Sequence, residues 1–310
     1  MIRFYDGAQI EAALGYERLI PALREAFAAA AVEAPLRHAH EIGVPGQPAH
    51  LLAMPAWRRG AALGVKLVNV FPGNGGRDLG AVHGLYVLFD GATGVPRAIL
   101  DSEALTNRRT AAASALASTF LSRMDSRTLT VIGSGRLAFH LAQGHCAVRP
   151  IERVLVWGRS PEKAGAMAAS LAAEGLPAMP VADLSAAVAA ADIVTCATTS
   201  TAPLVLGRDV RPGTHVDLVG AFTPAMRESD DDLVAASTVY VDTYRGALAE
   251  AGDLLQPEAA GRWNRAQVAA DLHELCSGAR PGRMEDAPVT LFKSVGAALE
   301  DLVAAELVAG

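Results

Sequence analysis

The chain has 310 residues, 51% of them hydrophobic and 19% charged, with a formal net charge of −6. That balance supports a well-buried core in one large domain or two medium ones. Arg and Lys are scattered, which argues against a nucleic-acid groove, and no apolar run reaches the about 18 residues a spanning helix needs. Cys146, Cys196 and Cys276 are odd in number and far apart, so neither a disulfide framework nor a CxxC metal pair is expected. The start, MIRFYDGAQI, lacks the charged and apolar stretches of a signal peptide. We therefore expect a soluble cytoplasmic protein with no metal centre, no membrane partner and no nucleic-acid partner.

Taken in chain order, residues 9–33 carry Ile10, Leu14, Leu19, Ile20, Leu23 and Phe27 at helical spacing, which predicts a helix. LLAMPAW, GVKLVNVF, GLYVLFD and PRAILD follow as short strands separated by Gly, Pro and Asn, and FDGATGVPRAI reads as a hairpin. Residues 1 to about 100 thus form an α+β unit with an antiparallel or mixed sheet. SEALTNRRTAAASALASTFL then reads as one Ala-rich helix, capped by Asp101 or Ser102 and ending near Arg123. From there the rhythm changes. TLTVIG, RVLVWG, DIVTCAT, THVDLVG and STVYVD are strands, and helical segments 137–148, 161–173 and 183–190 lie between them. This alternation predicts βαβ units on a parallel sheet covered on both faces. The last segment, LFKSVGAALEDLVAAEL, reads as helix.

The first of those strands runs into GSGRLA, with Gly133, Ser134, Gly135, Arg136, Leu137 and Ala138 at GxGxxA spacing. A dinucleotide fingerprint needs a glycine for the sharp turn, a second where backbone meets pyrophosphate, and a small third residue for helix–strand packing. The preceding strand and following helix supply the context that separates such a turn from an ordinary strand-to-helix connection. About twenty residues on, where an acidic residue would hold an adenosine ribose, the chain has Gly158, Arg159 and Ser160. A guanidinium and a hydroxyl suit the 2′-phosphate of NADP(H), with NAD(H) the second choice; the bland alternative is a solvated Arg at a strand end. Thr198 and Thr199 end DIVTCAT, and either line the nicotinamide ribose or open the next turn.

KLVNVFPGN, GVPRAILDSEALTNRRTAAASALA, VIGSGRLA, VWGRSPEKA, GAFTPAMRE, YVDTYRGALAEAGDL and FKSVGAALEDL resemble the ornithine cyclodeaminase/μ-crystallin family from about residue 35 to the C-terminus. The resemblance implies two lobes: a substrate-binding and dimerisation lobe, 1–122 with 286–310, and a Rossmann-type dinucleotide domain, 123–285. It also implies nicotinamide chemistry on small amino or imino acids: cyclisation of ornithine with loss of ammonia, dehydrogenation of alanine, or reduction of cyclic ketimines.

Lys66 lies in an apolar strand, on one face with Val68 and Val70, where an ammonium needs a partner or a wet cavity. Read as functional, it gives or takes a proton at the substrate nitrogen; read as structural, it points outward from an edge strand. Arg109 sits among Thr110, Ala111 and Ala112, small residues that leave room for a carboxylate to meet its fork. Adjacent helix residues point about 100° apart, so at most one of Arg108 and Arg109 faces a ligand. The resemblance implies that Arg109 holds an α-carboxylate and that Arg37 is a second such residue. His83 either donates a hydrogen bond to substrate or is a turn histidine.

Two departures from the cyclodeaminases bear on the reaction. Phe222 stands in GAFTPAMRE where they carry a catalytic Asp, and Leu52 stands ahead of Met54 and Pro55 where they carry a Glu. The GAFTPAMRE version resembles the reductase and dehydrogenase members more closely. The expectation is an NADP(H)-preferring homodimer that reduces an imino acid of the 1-pyrroline-2-carboxylate kind. Ornithine cyclodeaminase, an alanine-type dehydrogenase and a non-enzymatic NADP-binding protein remain the alternatives.

Overall fold

The structure, a computed structural model, describes residues 2–77 and 79–310, and the side chains of these other than 75–77. The elements of the first half, in chain order, are β1 (Arg3–Tyr5), α1 (Gly7–Ala13), α2 (Tyr16–Ala29), β2 (His38–Glu41), β3 (His50–Arg58), β4 (Ala62–Val70), β5 (Val82–Asp90), β6 (Pro96–Asp101) and α3 (Ser102–Leu121). There follow β7 (Thr128–Ile132), α4 (Arg136–Val148), β8 (Arg153–Trp157), α5 (Pro161–Ala173), β9 (Ala178–Pro180), α6 (Leu184–Ala190), β10 (Ile193–Cys196) and β11 (His215–Leu218). The rest comprises α7 (Asp231–Ala236), β12 (Thr238–Val241), α8 (Tyr244–Glu250), α9 (Gly252–Ala259), β13 (Val268–Asp271), α10 (Leu272–Ser277), β14 (Thr290–Lys293) and α11 (Ala298–Ala309). The chain divides into two compact units, Met1–Arg109 with Ala297–Gly310, and Thr110–Gly296. The borders therefore fall at 109/110, inside α3, and at 296/297, rather than at 122/123 and 285/286. A continuous helix gives no compositional sign of a border within it.

The first unit is built on a sheet of order β1-β6-β5-β4-β3-β2, with β1 and β6 parallel and the other neighbours antiparallel. The helix expected over 9–33 is in fact two, α1 and α2. The break has a physical cause: Leu14 leaves helical geometry and Gly15 restarts it, while the Arg108 Nε donates to the Leu14 carbonyl oxygen at 3.0 Å. The apolar stripe of α2 (Tyr16, Leu19, Ile20, Leu23, Phe27) is buried. Strand alternation gives this sheet two distinct faces. Met54, Lys66 and Tyr86 are direct cross-strand partners on one, all buried. On the other, Pro55, Val65, Val87, Ile99 and Phe4 form a row across five strands, and the neighbouring Leu67 and Leu85 are exposed.

The second unit is a wholly parallel sheet, order β13-β12-β14-β11-β10-β7-β8-β9. Alternate residues feed two cores, as expected for a sheet covered on both faces. Leu129 and Val131 pack with Ala138, Ala142, Ala164 and Leu171 from α4 and α5. Ile132, Val194 and Cys196 pack with Val188, Leu233, Val234 and Leu254 from α6, α7 and α9. The chain builds outward from β7 through β8 and β9, then returns to β10 and β11 on the other side. That reversal is the topological switch point, where open α/β sheets bind ligands at the strands' carboxyl ends. The doubly wound class is as the sequence indicated.

The helix expected over the whole of LFKSVGAALEDLVAAEL is corrected. Thr290–Lys293 is strand β14, inserted between β11 and β12 and buried at every position, and the helix begins only at Ala298. A short apolar run that is buried on both faces carries no periodicity to separate strand from helix. Among the described residues no helix is long and apolar enough to cross a membrane.

Candidate active site

In the first unit, Lys66 and Arg109 meet. Lys66 sits on β4 and Arg109 on the first part of α3, and both are at least nine-tenths buried. Lys66 Nζ lies 3.0 Å from Asp301 Oδ1 and 2.9 Å from its Oδ2. Arg109 Nε donates to that same Oδ1 at 2.9 Å, and its Nη1 donates to Glu300 Oε2 at 2.6 Å. Two cations and two carboxylates thus form a buried set with no net charge, the condition under which buried ions are tolerated. Glu300 and Asp301 are adjacent on α11, whose other residues, apart from Glu306, are apolar.

Burial and the neighbouring Arg109 guanidinium push the Lys66 pKa down to about 8, against the opposing pull of Asp301, and Arg37 adds to the lowering. Burial alone would raise the Asp301 carboxyl, but Arg109 and Lys66 outweigh it and hold it below the ordinary range. Thr106 Oγ1 lies 3.4 Å from Lys66 Nζ. Met54 and Tyr86 are the direct cross-strand neighbours of Lys66, and Leu52 shares its face one pair further along β3.

The remaining first-unit candidates separate. Arg37, half-buried just before β2, is near enough for its charge to act on Lys66. Arg108 turns away: its guanidinium lies 4.2 Å from the centre of the Tyr16 ring and bonds Leu14, so the two arginines do point apart. His83 is not brought to the cluster. It pairs with Asn69 on β4, which alternation places on the opposite face from Lys66, and its Nε2 lies 2.8 Å from the Gly80 carbonyl oxygen. It stands at the start of β5, away from the groups around Lys66.

In the second unit, the turn after β7 meets the physical demands of a pyrophosphate cradle. Gly133 has φ +122°, and a Cβ there would lie 2.7 Å from the Ala197 carbonyl oxygen. Ala138, the small third residue, lies 3.6 Å from the same point. Gly135 is different: a Cβ on it would meet nothing within 4 Å, so the space above it is open to a ligand. Gly135 opens α4 with no side-chain cap, which leaves main-chain donors of the 13-residue helix turned toward that space. Arg136 is exposed and Leu137 half-buried. These residues fit a dinucleotide.

The end of β8 stands beside this turn. Gly133 N donates to the Trp157 carbonyl oxygen at 2.9 Å, and a Cβ on Gly158 would lie 3.1 Å from Ser134 Oγ. Arg159 is exposed there, while Ser160 caps α5 by accepting from Lys163 N at 3.3 Å. Thr198 and Thr199 follow β10. Thr199 is exposed, and Thr198 is held by Glu228, whose Oε1 accepts from its amide at 2.6 Å and its hydroxyl at 2.8 Å. Among the described residues no group of three or more His, Cys, Asp and Glu could hold a metal.

The ornithine cyclodeaminase/mu-crystallin family model matches residues 4–310. The chain belongs to that family. It is 42% identical, over 84% of its length and 82% of the relative's, to a delta(1)-pyrroline-2-carboxylate reductase of Paracoccus denitrificans. It is 35% identical to a Colwellia psychrerythraea protein of the same name, over 99% of this chain and 98% of that one. The solved Thermococcus litoralis delta(1)-pyrroline-2-carboxylate reductase, in complex with NADH and L-proline, superposes with a TM-score of 0.94 at 32% identity, covering 99% and 96% of the two chains. The resemblance read from the motifs is thereby established.

For this family member, sequence reasoning missed the carboxylates. Asp301 and Glu300 lie in the quoted FKSVGAALEDL, and two adjacent acids on an otherwise apolar helix are a signal in themselves: buried, they need cations. Glu228, Asp253 and Lys293 were missed as well. All three are fully buried, with Lys293 Nζ 3.2 Å from Asp253 Oδ2. Phe222, by contrast, is half-exposed after β11 and offers no carboxylate.

Proposed function

We propose that this family member reduces a small cyclic imino acid of the 1-pyrroline-2-carboxylate type to the amino acid, with NADPH preferred over NADH. The observation that carries the reading is the meeting of Lys66 and Arg109 on one buried carboxylate oxygen, Asp301 Oδ1. A reduced dinucleotide, held by its pyrophosphate at the Gly133–Ala138 turn, would supply the hydride for the C=N carbon. The protein's own groups do the rest. Arg109 spends Nε and Nη1 on Asp301 and Glu300, so its remaining guanidinium nitrogen, with Arg37, holds the substrate carboxylate. Lys66 carries the proton that the nitrogen needs, and Asp301 keeps it charged and aimed. Leu52 and Met54 present hydrocarbon beside it, which suits ring methylenes and offers no partner to a second ammonium such as that of ornithine.

NADPH preference rests on Arg159 and Ser160 beside the glycine turn, where neither residue is acidic. A homodimer is supported by the apolar row Pro55, Val65, Val87, Ile99 and Phe4 with exposed Leu67 and Leu85, a surface that a second copy would cover. A cytoplasmic location fits three cysteines that form no disulfide. The deciding experiment compares NADPH and NADH oxidation with pyrroline-2-carboxylate, piperideine-2-carboxylate and pyruvate plus ammonia, and tests ornithine with NAD. Fastest turnover with a cyclic imino acid supports the reading. Ammonia release from ornithine, turnover of pyruvate plus ammonia alone, or binding without turnover replaces it with the corresponding alternative. Light scattering of the eluted protein at twice 32.1 kDa supports the dimer, and elution at the chain mass opposes it.

A further inference from the structure

The carboxyl ends of β10 and β11 are joined through one side chain. Glu228, fully buried, accepts from Thr198 N at 2.6 Å, Thr198 Oγ1 at 2.8 Å and Gly220 N at 2.7 Å. Thr198 follows β10 and Gly220 follows β11, so the carboxylate ties together two loops that parallel strands alone leave free to diverge. Glu228 is itself fixed: Asp253 accepts from Glu228 N at 2.7 Å and Ser229 N at 2.9 Å, and Lys293 of β14 pairs with Asp253 at 3.2 Å. Gly220 has no room for a side chain, since a Cβ would lie 2.1 Å from the Thr198 carbonyl oxygen. The result is a rigid pair of strand ends across the switch point from β8, where a second mononucleotide half of a Rossmann fold places its ligand.

We propose that Glu228 is a positioning residue for the nicotinamide-riboside half of the dinucleotide, acting through Thr198 and Gly220 and not touching the cofactor itself. The proposal rests on the reading of the Gly133–Ala138 turn as the pyrophosphate site. The residue is suited to the task because a carboxylate can accept all three donors at once, while an amide cannot: the NH2 of a glutamine would face an N–H.

Titration with NADH and with ADP tests it. ADP keeps the adenosine and two phosphates but lacks the nicotinamide riboside. Glu228→Gln is expected to bind NADH about ten-fold or more weakly than the wild type and to bind ADP unchanged, the loss of hydrogen bonds to a charged group being of that size. Should that variant not fold, Glu228→Asp, too short to span both loops, makes the same comparison. A double variant with Thr198→Val should lose less than the sum of the two single losses, because the Thr198 hydroxyl acts through Glu228. Equal affinity for NADH in variant and wild type, parallel loss of NADH and ADP, or additive losses in the double variant would overturn the proposal. Wild-type protein that binds none of NADPH, NADH and ADP would instead overturn the pyrophosphate reading, and the proposal with it.

Discussion

The glycine turn of the second unit and the charged cluster of the first are built from different materials. At Gly133–Ala138 the groups turned to the open space are main-chain donors, carried by one short run of sequence. At Lys66 the groups are side-chain heads from three separate elements, with Lys66 and Asp301 235 residues apart in sequence. The turn owes its form to what glycine lacks, the cluster to exact neutralisation of buried charge. A change that adds an atom should therefore hurt the turn, and a change that removes a charge should hurt the cluster.

The largest expected effect is on the cluster's proton. Lys66→Met should lower kcat for pyrroline-2-carboxylate by about a hundred- to ten-thousand-fold with NADPH affinity unchanged, measured by steady-state kinetics beside cofactor titration. Full kcat in that variant would refute the proton role. Asp301→Asn leaves two buried cations with one carboxylate, and should cost about 3–5 kcal/mol of stability by denaturant unfolding. A change within about 0.5 kcal/mol, ordinary for surface sites, would mean the cluster does not hold the first unit together.

Smaller losses should follow at the turn, and its two glycines should differ. Gly133→Ala forces a side chain into a positive-φ position against the Ala197 carbonyl, so both melting temperature and dinucleotide affinity should fall, the latter about ten-fold or more. Gly135→Ala meets no protein atom, so the melting temperature should barely move while affinity still drops. Equal thermal loss in both would show that Gly135 serves the fold and not a ligand. The smallest effect belongs to Arg159→Ala, which should raise the KM for NADPH about ten-fold and leave that for NADH unchanged. Equal change in both constants would remove the NADPH preference.

The same contrast explains what could be read in the sequence. GSGRLA between TLTVI and an apolar helix is a local pattern, and its conformation follows from residues within one turn, so the dinucleotide class was legible. Lys66 was legible as an ammonium that an apolar strand could not bury alone, and Arg109 as a guanidinium whose small neighbours leave room for a carboxylate. Their partners were not, because nothing local ties the closing helix to β4. Lys293 was lost for another reason: its strand was read as helix, since TLFK buried on both faces has no period. His83 shows the converse limit. Its type suited a ligand, and only the strand register revealed that it lies on the wrong face.

The most direct test is the pH dependence of kcat/KM for pyrroline-2-carboxylate reduction, in the wild type and in Asp301→Asn. Lys66 is an ammonium below its pKa of about 8 and loses its proton above it, so wild-type activity should fall as pH rises through about 8. Asp301 raises that pKa, so its loss should move the fall to lower pH. Superimposable profiles for the two proteins, or a wild-type profile flat from pH 7 to about 9.5, would contradict the claim that Lys66 works under the control of Asp301.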